Sequence, residues 1–187
     1  MKRILFGAVL LLWGAAGWAS PYSDTESLFR HAGESGAFFQ NSYAYAVFPT
    51  IGKGGLVVGG AHGHGHVYVH GKYVGETSMT QLSIGLQAGG QAYSQIIFFE
   101  DQRAFDEFAK GNYEFGADVN AVAITAAAGA SVATTGASAD ASGGMKDAKT
   151  AGKYYKGVAV FTIVKGGAMY QATVAGQKFS YQPKNSK

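Results

Sequence analysis

The fold turns on GGLVVGGAHGHGHVYVH, residues 54–70. A β-strand sends successive side chains to opposite faces. Read with that period, Ala61, Gly63, Gly65, Val67 and Val69 fall on one side. His62, His64, His66, Tyr68 and His70 fall on the other. One face is small and apolar, and the other is a stripe of imidazoles. Two readings compete. Either the histidines are the function, or the glycines are the structure and the histidines ride on it.

Working outward from this strand, residues 71–72 read as a turn and 73–79 as a strand pairing back as a hairpin. Residues 81–100 continue as one long β segment. Its even positions from Ile84 to Phe98 are apolar or small, its odd positions carry glutamines, and Gly85, Gly89 and Gly90 are the expected bends. On the upstream side, residues 44–48 form a short strand that Pro49 stops. Residues 49–55 then read as a tight glycine loop carrying Lys53, whose backbone N–H groups could meet an anion. The phosphate-loop pattern GxxxxGK[ST] is absent. Residues 22–46 read as helix, capped at Ser23 or Asp24 and split in two by Gly33 and Gly36. Downstream, residues 100–110 are the clearest helix, opened by Glu100 and Asp101 and ended by Gly111. Residues 117–128 are rich enough in alanine for a helix, but their alternation fits a strand about as well, and a strand to about residue 128 is the reading adopted. Residues 136–149 read as a flexible loop, and 154–164, 169–174 and 177–181 as strands.

The chain has 187 residues and no cysteine, which excludes a disulfide framework and a lipidated cysteine. Lys2 and Arg3, the apolar run over residues 4–12 and the small-x-small pattern at Gly17 and Ala19 read as a signal peptide over 1–19. The competing reading is a membrane anchor, which the short, glycine-broken run disfavours. Residues 20–187 are then one domain, periplasmic or secreted. The formal charge of +3 owes two units to Lys2 and Arg3, and no Lys/Arg-rich run exists, so nucleic acid is not an expected partner. Glycine, at 28 residues, is about twice as frequent as usual. That excess points to sharply curved β structure or to a surface that meets something apolar.

Candidate chemistry is sparse. His62 and His64 are the weak metal candidates, since His-x-His on a strand is a good two-point unit. His66 cannot easily join them, because His62 and His66 stand about 13 Å apart along the backbone at ~3.3 Å per residue. No GxSxG or HExxH pattern and no nucleophilic cysteine is present, so no enzyme and no cofactor is expected. Protonation of the five histidines at mildly acid pH would add positive charge. Near an anionic membrane that is worth on the order of 1 kcal/mol per charge.

Ala46, Val47, Phe48 and Pro49, then Lys53 and Gly55, Gly59 and Gly60, Gly63 and Gly65 follow in a particular order. After them come residues 85–91, GLQAGGQ, and Ile97, Phe98 and Phe99, with Gly116, Ala117 and Asp118 and the late strand over 154–164. This series resembles the SYLF-domain family in its bacterial exported branch, over roughly residues 25–182. The resemblance implies a module that binds phospholipid or phosphoinositide headgroups. It makes actin, bound by some eukaryotic members, an unlikely partner for an exported chain. The expected fold is α+β, a strongly bent antiparallel sheet or partly closed barrel with short N-terminal helices and one mid-chain helix. The expected function is peripheral binding of membrane phospholipids. Lys53, Lys72, His62, His64 and His66 would supply charge, and Phe38 and Phe39 apolar insertion. Gly55, Gly59, Gly60, Gly63, Gly65, Gly89 and Gly90 would be structural. The alternatives are a histidine-based metal- or pH-responsive envelope protein and a small outer-membrane barrel. The oligomeric state is left open.

Overall fold

A computed structural model describes residues 20–32, 35–55, 58–84, 89–116, 118–119, 121–124, 132–134, 153–166 and 174–185. The signal segment 1–19, the bend at Gly85, the loop 136–149 and most of the strand expected over 169–174 lie outside these residues.

Two helices lead the chain, α1 (Pro21–His31) and α2 (Ser35–Asn41). The split expected near Gly33 is present, but the cap lies three residues earlier than expected. Ser20 accepts from the Tyr22 N–H, and Pro21 occupies a first-turn position where a missing N–H costs nothing. Ser35 is fully buried and donates to the carbonyls of Phe29 (2.6 Å) and Ala32 (2.7 Å), tying the two helices together.

The long strands follow: β1 (Ala44–Gly55), β2 (Val58–Val69), β3 (Lys72–Ile84) and β4 (Gly89–Phe99). Helix α3 (Gln102–Ala109) comes next, with the Asp101 carboxylate accepting from the Ala104 N–H at 2.8 Å. The remaining strands are β5 (Tyr113–Glu114), β6 (Ala121–Ile124), β7 (Val132–Thr134), β8 (Val158–Gly166) and β9 (Gln177–Pro183). One sheet holds all nine in the order β5-β9-β3-β2-β1-β4-β8-β6-β7. Every pairing is antiparallel except β6 with β8.

Three expectations are corrected here. Pro49 does not end a strand, and residues 49–55 are not a loop. β1 runs on to Gly55 between β2 and β4, with Pro49 inside a bulge where one extra residue separates Val47 from Ile51. A bulge is where a sheet tolerates proline. The Ser94 hydroxyl donates to the Pro49 carbonyl at 2.7 Å. Residues 81–100 are not one segment, since β3 and β4 lie on opposite flanks of the β1–β2 pair. The hairpin turn is His70-Gly71, not Gly71-Lys72. Both φ values are positive (48° and 75°), the signature of the two-residue turn that matches strand twist.

The sheet is curled, and β1, β4 and β8 are buried on both faces. Outside, Phe29, Phe38 and Phe39 of the helices cover Tyr45, Val47, Ile96, Phe98 and Phe161. Inside, Phe48, Ile51, Met79, Tyr93, Ile97, Phe99 and Phe179 pack with Phe108 of α3. Residues 93–99 are therefore buried without alternation, which corrects the expected outward glutamine stripe at Gln95. Gln95 on β4 and Gln177 on β9 exchange hydrogen bonds of 2.8 and 3.1 Å, although β3, β2 and β1 lie between those strands in the sheet. Only a strongly curled sheet brings them together.

The curl rests on missing side chains. A Cβ on Gly63 would lie 2.6 Å from Ile51 Cγ1, and one on Gly65 would lie 2.8 Å from the Phe48 ring. Gly63→Ala and Gly65→Ala are each expected to destabilise the fold by about 1–3 kcal/mol in urea denaturation. Gly54→Ala, whose Cβ meets nothing within 4 Å, serves as the near-neutral control. Gln95→Leu alone leaves a buried Gln177 oxygen without its donor and is expected to cost about 1–3 kcal/mol. The double change Gln95→Leu/Gln177→Leu is expected to cost less than the sum of the two single changes in the same assay.

Candidate functional site

Away from the His70-Gly71 turn, β1, β2, β3 and β4 run to one end of the sheet. There Gly55 is level with Gly59 and Gly89, and Val58 with Ile84. Pairing assigns the faces, because directly opposed residues share one. On the outer face, Gly60 lies between Gly54 and Leu82, His62 between Gly52 and Thr80, and His64 opposite Ser78. A Cβ on Gly52, Gly54 or Gly90 would meet nothing within 4 Å, so this surface is a floor of bare backbone. Leu82 and Val58 stand at its margin, 83% and 65% exposed.

The sequence candidates separate on this frame. Lys53 opposes Ala61 and Gln91, which puts it on the inner face, opposite the histidines. It is half-buried, and that desolvation lowers its pKa below the usual lysine value. Lys165, at the end of β8, donates to Thr50 Oγ1 at 3.1 Å and adds a cation near the same end of the sheet. Lys72 opposes Val69, about 26 Å along β2 from the level of Lys53, so the two lysines do not form one site.

The histidine stripe also divides. The Nε2 atoms of His62 and His64 approach to 3.1 Å, and both residues are exposed. His66 instead stacks on Tyr22 of α1, with ring centroids 3.4 Å apart and planes 3° from parallel. Burial lowers its pKa below 6.5, partly opposed by the carboxylate of Glu76, its partner on β3. His70 belongs to the turn, with its ring edge-on to Tyr43 at 4.8 Å.

Phe38 and Phe39 are half-buried packing residues. Phe38 meets Phe161 at 5.0 Å and Tyr154 at 5.1 Å, while Phe39 meets Phe98 at 4.9 Å and carries the Arg30 guanidinium 4.0 Å above its ring. Leu82 and Val58 are the most exposed of the described large apolar residues, and sequence reasoning missed both. Period two alone places Leu82 on the face of Ser78 and Thr80, which was the available signal.

The proposed structural glycines are not alike. Gly55 has φ 149° and, like Gly63 and Gly65, sits where a Cβ would strike neighbouring atoms. Gly60 and Gly90 have room for one. Further along the chain, Asp118 accepts from Tyr155 Oη at 2.8 Å and Lys156 Nζ at 2.6 Å, and these donors hold its carboxyl down at about 2. Gly116 makes space for that carboxylate, since a Cβ there would lie 2.5 Å from Asp118 Oδ1.

Comparison with known proteins decides the family. Residues 80–185, more than half the chain, match the family Ysc84, described as "Las17-binding protein actin regulator". The chain belongs to this SYLF-domain family. It is also 30% identical over 154 residues to beta cell expansion factor A of Aeromonas veronii. That alignment covers 81% of this chain and 51% of the relative, so the chain spans about half the relative's length. The family's description is that of an actin regulator and lends no support to the expectation that actin is an unlikely partner. The family match begins at residue 80, so Leu82 falls within it and the histidines of β2 do not. Among the described residues, no helix is long and apolar enough to cross a membrane.

His66 generates a pH prediction. Its folded pKa is depressed, so its contribution to stability is present above the unfolded value near 6.5 and is lost as pH falls through the lower folded value. A His66→Gln variant is expected to lose less stability than the parent between about pH 7 and pH 5, read from urea midpoints across that range.

Proposed function

We propose that this SYLF domain is an exported, non-enzymatic module that binds anionic phospholipid headgroups at a membrane surface through the glycine-floored end of its sheet. The observation that carries this reading is the exposure of Leu82 and Val58 on the outer face of that end, with Lys53 on the inner face of the same end and Lys165 at the end of β8. Apolar side chains at an exposed sheet end enter the acyl boundary, while lysines at the same end meet phosphates. The bare backbone of Gly52, Gly54 and Gly90 lets a headgroup approach closely. The earlier assignment of insertion to Phe38 and Phe39 moves to Leu82 and Val58, because the phenylalanines are engaged in packing α2 on the sheet.

Burying a leucine contributes about 1.5–3 kcal/mol. Leu82→Ser is therefore expected to weaken co-flotation with vesicles of mixed phosphatidylcholine and phosphatidylglycerol by about tenfold or more. Lys53→Gln is expected to weaken it a few-fold and to reduce its salt dependence. Equal flotation of parent and Leu82→Ser, or none by the parent, would end this reading. The family's description favours actin regulation as the second reading. Pelleting of the protein with filamentous actin in the absence of lipid would support it.

A further inference from the structure

We propose that His62 and His64 form a two-point chelate for a divalent transition-metal ion, with the highest affinity for Cu(II). Alternate residues on one strand face start well apart, yet here the two Nε2 atoms converge to 3.1 Å with ring planes at 88°. Nitrogen–metal bonds of about 2.0–2.1 Å place two ligands about 3.3 Å apart at the tetrahedral angle and about 2.9 Å apart at a right angle. The observed separation lies between those limits, so a small turn of the rings, with no movement of the strand, lets one ion bond both nitrogens.

The surroundings suit an exchangeable ion. Both imidazoles are exposed, so an ion reaches them from solvent. His62 is flanked by Gly52, where a Cβ would meet nothing within 4 Å, and by Thr80. His64 opens onto a depression of about 460 Å³ that also exposes Ser78 and Ser180. That space accommodates water or a small ligand completing the coordination shell. Among the described residues, no group of three or more His, Cys, Asp or Glu side chains is placed to hold a metal ion. The protein thus supplies two ligands, and the other positions stay open. With two neutral imidazoles, one Nε2–H donates to the other Nε2. Metal binding moves that proton to Nδ1 of the same ring through solvent, with no net proton release. Affinity for imidazole sites rises to Cu(II) and falls again at Zn(II).

This inference does not depend on the lipid reading. The test is calorimetric titration of untagged protein with Cu(II) and then Zn(II), with electron paramagnetic resonance of the copper form. The expected result is one Cu(II) per chain with nitrogen hyperfine structure, and weaker Zn(II) binding. His62→Gln and His64→Gln are each expected to lower copper affinity at least tenfold, while His66→Gln leaves it unchanged. Circular dichroism checks that each variant is folded. Retention of full copper affinity and stoichiometry by His62→Gln/His64→Gln would overturn the proposal, as would a parent protein with no saturable binding.

Discussion

The close approach of β1 to β2 sets the rest of the molecule. Ile51 and Phe48 press into space left by Gly63 and Gly65, on the concave side of the sheet. A concave face has less room per residue than a flat one, so small residues there and bulky ones on the neighbouring strand are the packing that curvature demands. Any Cβ at those glycines pushes the strands apart. The bulge around Pro49 works with this, adding local twist next to the tightest contact.

Curvature then dictates what is buried. It carries β9 round to face β4, so Gln95 and Gln177 meet in the interior and satisfy one another, with Tyr93 Oη as a further acceptor from Gln177. Buried amides are tolerable only when paired in this way. The same geometry leaves the convex face for α1 and α2, whose aromatic residues cover β1, β4 and β8 but leave Leu82 and Val58 at the sheet's end uncovered. Packing and exposure are thus divided along the strands, with a well-packed body and a thin glycine-rich end.

The sequence carried a good part of this. The two-face sorting of residues 61–67, the helix over α3, the split between α1 and α2 and the bent antiparallel sheet were all readable from period, caps and glycines. The candidate site was less legible. Lys53, Lys72 and the histidines looked like one charged group, yet pairing puts Lys53 across the sheet from His62 and sets Lys72 at the far end. Phe38 and Phe39 could be read as packing or as insertion residues, because a short helix does not announce which of its aromatic residues the sheet will take. Leu82 was hidden in a run read as core, since an apolar residue looks the same in sequence whether or not anything covers it.

By itself, the sequence determined the local choices: where strands alternate, where helices start and stop, and which residues on β2 must be small. Those follow from side-chain volume and backbone preference over a few neighbours. Only the tertiary structure decided that β4 returns beside β1 rather than extending β3, that the sheet curls until β4 meets β9, and that one pair of histidines converges while a third stacks under α1. These outcomes depend on contacts between residues more than a hundred positions apart, such as Thr77 with Ser180. Their energies exist only once the chain has closed on itself.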